Sequence, residues 1–162
     1  MKKFVSFVVV LFMILVLPSA ITPQYKGLKI GNQAPELVLP DTTLSVDGMD
    51  AQGYTLLHFW ASYDAPSRIA NIRYNDVIES LNGTPVRYVA VSYERNKELF
   101  QEIVRRDEVT LSNQYYDEAG EESELYVRYR LNKGFATYLI DASGTIVAHN
   151  PDKDTLAAIL GK

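Results

Sequence analysis

Three side chains close together in the middle of the sequence could act on a bound molecule. Tyr63, Asp64 and Ser67 follow an apolar run that ends at Trp60. A carboxylate and a hydroxyl at this spacing could serve as general base and nucleophile, provided that a base lies within hydrogen-bonding reach of the hydroxyl. The nearest histidine in sequence is His58.

A catalytic triad of Ser67, His58 and Asp64 is not expected. The four residues of strand from His58 to Ser62 span ~13 Å at ~3.3 Å per residue, and we expect the chain to continue away from the histidine. We interpret His58 as a buried, hydrogen-bonded core residue. Asp64 is interpreted as a helix cap whose carboxylate accepts the backbone N–H of Ser67. A general-base or ligand-binding role for Asp64 is the alternative.

The composition excludes several classes of function. The 162 residues contain no cysteine, which rules out disulfides, thiolate zinc sites, iron–sulfur clusters and dithiol redox chemistry. Only two histidines are present, His58 and His149, and no third ligand clusters with them. We therefore expect no metal site and no bound cofactor. A net charge of −4 argues against a nucleic-acid partner, since such proteins usually carry a basic face.

The first twenty residues have the layout of a secretory signal peptide. Lys2 and Lys3 precede fourteen largely apolar residues, and small residues follow at 18–20. Fourteen helical residues reach only ~21 Å, against a hydrocarbon core of ~30 Å. We expect an exported protein of the periplasm or cell envelope, without a lipidation cysteine. The alternative is an uncleaved segment that would be the chain's only contact with a membrane.

The remaining sequence predicts a lead-in at residues 21–30 and one α/β domain at 31–162. A buried strand is expected at 54–60, because this segment is apolar on both faces. The helix expected at 65–82 carries an inward stripe of Ile69, Ile72, Val77, Ile78 and Leu81. Further strands are expected at 36–39, 86–93, 109–116, 135–140 and 145–149, loops at 41–53 and 118–122, and helices at 96–106, 124–130 and from 151 or 152 onward. This order predicts a three-layer α/β/α sandwich with a mixed central sheet.

Several motifs carry a family resemblance. Residues 59–68, Phe-Trp-Ala-Ser-Tyr-Asp-Ala-Pro-Ser-Arg, resemble the thioredoxin active-site segment, Phe-Trp-Ala-x-Trp-Cys-x-Pro-Cys-Arg. Residues 31–35 resemble the Gly-x-x-Ala-Pro opening of the exported TlpA/ResA-like redoxins, and residues 138–146 are similar to their Phe-Leu-Ile-Asp-x-x-Gly-x-Ile hairpin. The helix and strand expected within 96–116 resemble the insertion that distinguishes the TlpA/ResA-like redoxins from plain thioredoxin. The resemblance covers about residues 28–162 and implies a thioredoxin-like fold.

The resemblance fails at the residues that would do the family's chemistry. The two cysteine positions hold Asp64 and Ser67, and His58 falls where thioredoxins place a buried aspartate. Phe135 occupies the position of the family's cis-proline. A cis bond before a residue other than proline costs ~2.5–4 kcal/mol, so we expect a trans Gly134–Phe135 bond. Thiol–disulfide exchange is not expected, because it requires an attacking thiolate.

These observations predict a redox-inactive exported protein that acts as a binding or scaffold module. In the family, Tyr63 and Phe135 would flank the groove that receives an extended substrate chain. With Asp64 and Gly134 they could bind a protein or peptide partner in the envelope; alternatively, Phe135 plugs the groove and completes the core. Two other functions are kept open: non-redox catalysis at Asp64 and Ser67, and a stabilising subunit in a complex with an active thiol-disulfide oxidoreductase.

Overall fold

The computed structural model describes residues 27–38, 53–81 and 83–161. The five strands of these segments are β1 (Tyr54–Trp60), β2 (Val86–Ser92), β3 (Gln114–Tyr116), β4 (Thr137–Ile140) and β5 (Ile146–His149). Their four α-helices are α1 (Ala65–Ser80), α2 (Lys97–Arg106), α3 (Glu124–Arg128) and α4 (Lys153–Leu160). None of these helices is long and apolar enough to cross a membrane. The expected signal peptide, residues 21–26 of the lead-in, residues 41–52 of the loop and Asn82 lie outside the described residues.

The strands form one mixed sheet in the order β3-β2-β1-β4-β5. β1, β2 and β3 are parallel, while β4 runs antiparallel to β1 and β5 antiparallel to β4. The register places Thr55 opposite Arg87 on β2 and opposite Ile140 on β4. β1 is the central strand of this order, and its residues from 55 to 60 are all buried, as its apolar sequence predicts.

Helices cover both faces of the sheet. Leu57 and Phe59 of β1 pack in a core cluster with Leu125 of α3. Leu56 and Trp60 point to the opposite face and pack with side chains of α1, α2 and α4. This alternation is the period-two pattern of a strand buried on both sides. It confirms the expected three-layer α/β/α sandwich.

The edge strand expected at 36–39 is not formed over its described residues, 36–38. The chain pairs instead a few residues earlier with the turn between β4 and β5. Ala34 N donates to Gly144 O at 2.9 Å, and Gln33 forms an isolated antiparallel bridge with Thr145. Pro35 has no N–H with which to extend this ladder.

The expected apolar stripe on α1 is wrong in one important respect. Ile69 is exposed, whereas the buried positions of the helix are Ser67, Asn71 and Asn75. Asn71 accepts a hydrogen bond from the Tyr88 hydroxyl at 2.6 Å, and Asn75 accepts one from Thr110 N at 2.9 Å. A polar face can be buried here because other elements supply its hydrogen-bond partners.

The second half of the chain follows the expected order of elements with shorter boundaries. Asn96, Ser123 and Asp152 cap α2, α3 and α4 through their side chains. The strand expected at 109–116 begins only at Gln114, since a 3-10 turn occupies the preceding residues. The helix expected to reach Arg130 ends at Arg128, and Arg130 itself adopts a positive φ of 54°.

Candidate functional site

The loop between β1 and α1 is closed by a cap at the helix N-terminus. Asp64 has an extended backbone, and its carboxylate accepts the N–H of Ser67 at 3.3 Å. Pro66 lies in the first turn, where a missing N–H is tolerated. The structure thus confirms the cap expected for Asp64.

The Ser67 hydroxyl is held inside the same turn. It donates to the carbonyl of Asp64 at 3.0 Å and accepts the N–H of Ala61 at 3.3 Å. The residue is buried. The hydroxyl therefore ties the helix start to the end of β1, and no base contacts it among the described residues.

His58 is 1% exposed and connects two elements. Its Nε2 lies 3.0 Å from the carbonyl of Ser67, and its Nδ1 lies 2.8 Å from the Thr137 hydroxyl. A carbonyl only accepts, so Nε2 carries the proton and Nδ1 accepts from Thr137. Burial lowers the pKa of His58 to about 4, although the Ser67 carbonyl opposes this shift. The imidazole is therefore neutral near pH 7.

The expected separation of His58 from Ser67 is wrong. α1 folds back over β1 and brings the Ser67 backbone against the histidine ring. A triad is nevertheless absent from this geometry, because Nε2 meets the Ser67 carbonyl rather than its hydroxyl. The contact depends on packing between consecutive elements, which a distance along an extended strand does not capture.

Sequence reasoning missed Glu94, a buried carboxylate at the carboxyl end of β2. It accepts the hydroxyl of Ser62 at 2.9 Å and also accepts the Ser62 backbone N–H. Tyr93 N donates to Trp60 O at 2.9 Å beside it. Glu94 thereby fixes the loop that presents Tyr63. The available signal was its position directly after a buried strand that pairs with β1.

Tyr63 and Phe135 lie together at the surface. Tyr63 is 59% exposed, and its ring centroid lies 6.2 Å from that of Phe135. Phe135 stacks on Tyr93 at 6.0 Å with an interplanar angle of 15°. Phe135 is half-buried, so it packs on the core and also contributes to the surface. Gly134 is exposed with a φ of 121°, and no peptide bond among the described residues is cis, as expected for Gly134–Phe135.

A cleft of about 400 Å³ adjoins Tyr63 at the carboxyl ends of β2 and β3. We call it the acidic cleft; its lining residues are Tyr63, Tyr93, Glu94, Arg95, Tyr116, Glu118, Gly120 and Glu121. The loop predicted from the sequence at 118–122 forms one wall. Its contribution to a concave site was missed, because the other walls come from distant segments.

No three His, Cys, Asp or Glu side chains within residues 27–38, 53–81 and 83–161 are grouped so that they could hold a metal ion.

This architecture is that of a thioredoxin-like sandwich whose α1 N-terminus carries a carboxylate and a hydroxyl. Neither a protein-family model nor a curated protein sequence matches the chain. Solved structures do match. A thioredoxin-like protein from Parabacteroides distasonis is 33% identical with a TM-score of 0.78, over 86% of this chain and 99% of that one.

Two further structures extend this comparison. A thiol-disulfide oxidoreductase from Bacteroides fragilis is 25% identical with a TM-score of 0.64, over 80% of this chain and 98% of that one. StoA from Bacillus subtilis, at 18% identity and a TM-score of 0.57 over 70% of this chain and 85% of that one, shares the fold. The chain belongs to the thioredoxin-like family. The resemblance deduced from its motifs is confirmed.

Proposed function

We propose that this protein is an exported, redox-inactive member of its family that binds a protein or peptide partner. The partner surface consists of Tyr63, Asp64, Gly134 and Phe135. One observation carries the proposal: the two positions of the family's thiols hold Asp64 and Ser67, both bonded within the turn, while Tyr63 beside them is 59% exposed.

The redox half of the proposal follows from the chemistry of exchange. A mixed disulfide requires a thiolate that attacks and a second thiol that resolves it. The chain has no cysteine. A carboxylate and a buried hydroxyl cannot replace either sulfur, so we expect no reduction of insulin disulfides above the background rate of dithiothreitol.

The binding half is supported by the exposed aromatic pair. Large amphipathic rings dominate the energetics of many protein interfaces, because they bury much area and lose little conformational entropy. Tyr63 lies in a loop that is fixed by two hydrogen bonds from Ser62 to the buried Glu94 carboxylate. A braced, exposed ring is pre-organised for contact with a partner.

Export is supported by the pattern of residues 1–20, with two lysines, an apolar run and small residues at its end. The expected outcome is a mature chain found in the envelope fraction, with its N-terminus near residue 21 by mass spectrometry. A cytoplasmic chain that retains Met1 would contradict this part of the proposal.

Non-redox catalysis at Asp64 and Ser67 is the less favoured alternative. The Ser67 hydroxyl is buried, and among the described residues no ionisable side chain hydrogen-bonds to Asp64.

A stabilising subunit for an active oxidoreductase remains compatible with the partner surface. Co-purification with a cysteine-containing redoxin would identify that case.

Affinity capture from an envelope extract tests the partner surface. The variant Tyr63→Ala/Phe135→Ala should capture the partner at least tenfold less well than the unaltered chain, as expected when interface aromatic residues are truncated. Tyr63→Ala alone should show most of the loss, and its exposed site makes misfolding a poor explanation. The control Ile30→Ala/Leu111→Ala removes exposed apolar side chains elsewhere. Equal capture by all variants would refute the partner surface.

A further inference from the structure

We propose that the acidic cleft receives a cationic side chain, lysine or arginine, from an extended segment of the partner. This inference rests on the proposed function, since it names the chemistry that the partner brings next to Tyr63. The cleft shares Tyr63 with the partner surface, so one extended chain can contact both.

The position of the cleft follows from the topology of the sheet. β1, β2 and β3 are parallel, and the loops that follow all three strands supply its walls. Open α/β sheets bind ligands in crevices outside the carboxyl ends of their strands. A volume of about 400 Å³ lies within the range of small-ligand sites and is ample for one long side chain.

Three tyrosine rings give the cleft its aromatic walls. Tyr63 comes from the β1–α1 loop, Tyr93 follows β2, and Tyr116 ends β3. A tyrosine is uncharged near neutral pH. Burial, together with nearby carboxylates, raises the pKa of Tyr63 and of Tyr116 further. Neutral phenol rings attract ammonium and guanidinium groups over their faces.

The charges of the cleft select the sign of the ligand. Glu94, Glu118 and Glu121 line it, against a single guanidinium from Arg95. Glu94 already accepts hydrogen bonds from Ser62. Glu118 and Glu121 are exposed and form no ion pair with any described residue. A cation entering the cleft would meet two unpaired carboxylates as well as the rings, whereas an anion would be repelled.

Four synthetic peptides test the inference directly. Each has the sequence Ac-Gly-Ser-Gly-Ser-X-Ser-Gly-Ser-Gly-amide, where X is lysine, arginine, norleucine or glutamate. Titration into isotopically labelled protein, followed by ¹H–¹⁵N NMR, should give saturable shifts at Glu94, Arg95 and residues 116–121 with the lysine and arginine peptides. Their affinity should exceed that of the norleucine peptide by about tenfold and should fall as salt is raised.

Matched variants distinguish an effect of the carboxylates in the cleft from an effect of the protein's net charge. Glu118→Gln/Glu121→Gln should abolish the preference for lysine and arginine. Glu36→Gln/Glu108→Gln removes the same charge from exposed sites outside the cleft and should retain it. All four residues are exposed, so neither variant should disturb the fold.

Two outcomes would overturn the inference: no saturable shift at these positions with either cationic peptide, or equal affinity for cationic and norleucine peptides. If Tyr63→Ala/Phe135→Ala still reduces partner capture in either case, the proposed function stands and only the cationic chemistry of the cleft fails. If the peptides bind as expected but capture is unaffected, the partner surface fails instead.

Discussion

At the scale of single residues, Asp64 and Ser67 form structural contacts within the β1–α1 turn. Asp64 caps α1, and Ser67 ties the helix start to β1. His58 joins the Ser67 carbonyl to Thr137. These contacts hold the turn in shape without any thiol. They also keep the Ser67 hydroxyl buried and hydrogen-bonded.

The buried His58 predicts a pH-dependent stability. Its pKa is about 4 in the folded protein and about 6.5 when exposed, so between these values the unfolded state binds one more proton. Its stabilising contribution is complete above pH 6.5 and is lost as the pH falls toward 4. Between pH 7.5 and pH 5.0 the expected loss from this group is about 2 kcal/mol.

Urea unfolding at the two pH values measures this contribution. His58→Asn should lose about 2 kcal/mol less between pH 7.5 and 5.0 than the unaltered chain. Leu111→Ala, which changes an exposed side chain that does not titrate, should keep the full pH dependence. Identical pH profiles for the unaltered chain and His58→Asn would show that the buried histidine does not titrate as described.

At the scale of elements, α1 is held to the sheet through a polar face. Asn71 accepts the Tyr88 hydroxyl at 2.6 Å and exchanges two hydrogen bonds with Gln114, at 3.1 and 3.2 Å. These bonds join α1 to β2 and β3 across the core. The orientation of the helix, and with it the position of Tyr63, depends on them.

Asn71→Leu tests this role because it keeps the branching and the number of side-chain heavy atoms and removes the polar atoms. It leaves the Gln114 amide without its Asn71 partner and the Tyr88 hydroxyl with only the Asn71 backbone carbonyl at 3.4 Å, and should lower the free energy of unfolding by about 1–3 kcal/mol. Adding Tyr88→Phe should recover part of the lost stability, since it removes the hydroxyl whose Asn71 side-chain partner is missing. Ile69→Ala, on the exposed side of α1, should change stability by less than about 0.5 kcal/mol. Equal effects of Asn71→Leu and Ile69→Ala would contradict the polar anchor.

The elements also show which features the sequence could predict. β1 was predicted over 54–60 because burial on both faces leaves an unbroken apolar run. The cap at Asp64 was predicted because a cap bonds to an amide only three residues away. These are local signals.

Features that depend on distant partners could not be predicted in this way. The polar face of α1 is stable only because Tyr88 and Gln114, 17 and 43 residues away from Asn71, complete its hydrogen bonds. The acidic cleft likewise requires loops after three strands to converge. The motifs of residues 59–68 indicated where the site lies, but not that Glu94 braces it.

At the scale of the whole molecule, the thioredoxin-like sandwich is complete without its redox centre. Two cores, one on each face of the sheet, support the fold independently of residues 64 and 67. The proposed function uses this scaffold to present the surface around Tyr63 to a partner.

Photocrosslinking in the intact envelope tests this central claim most directly. A photoreactive phenylalanine analogue is placed at position 63 and, as a control, at the equally exposed position of Leu111 on another surface. Irradiation should yield a discrete protein or peptide adduct from position 63 and none from position 111. The absence of any adduct at position 63, or the same adducts from both positions, would contradict the account.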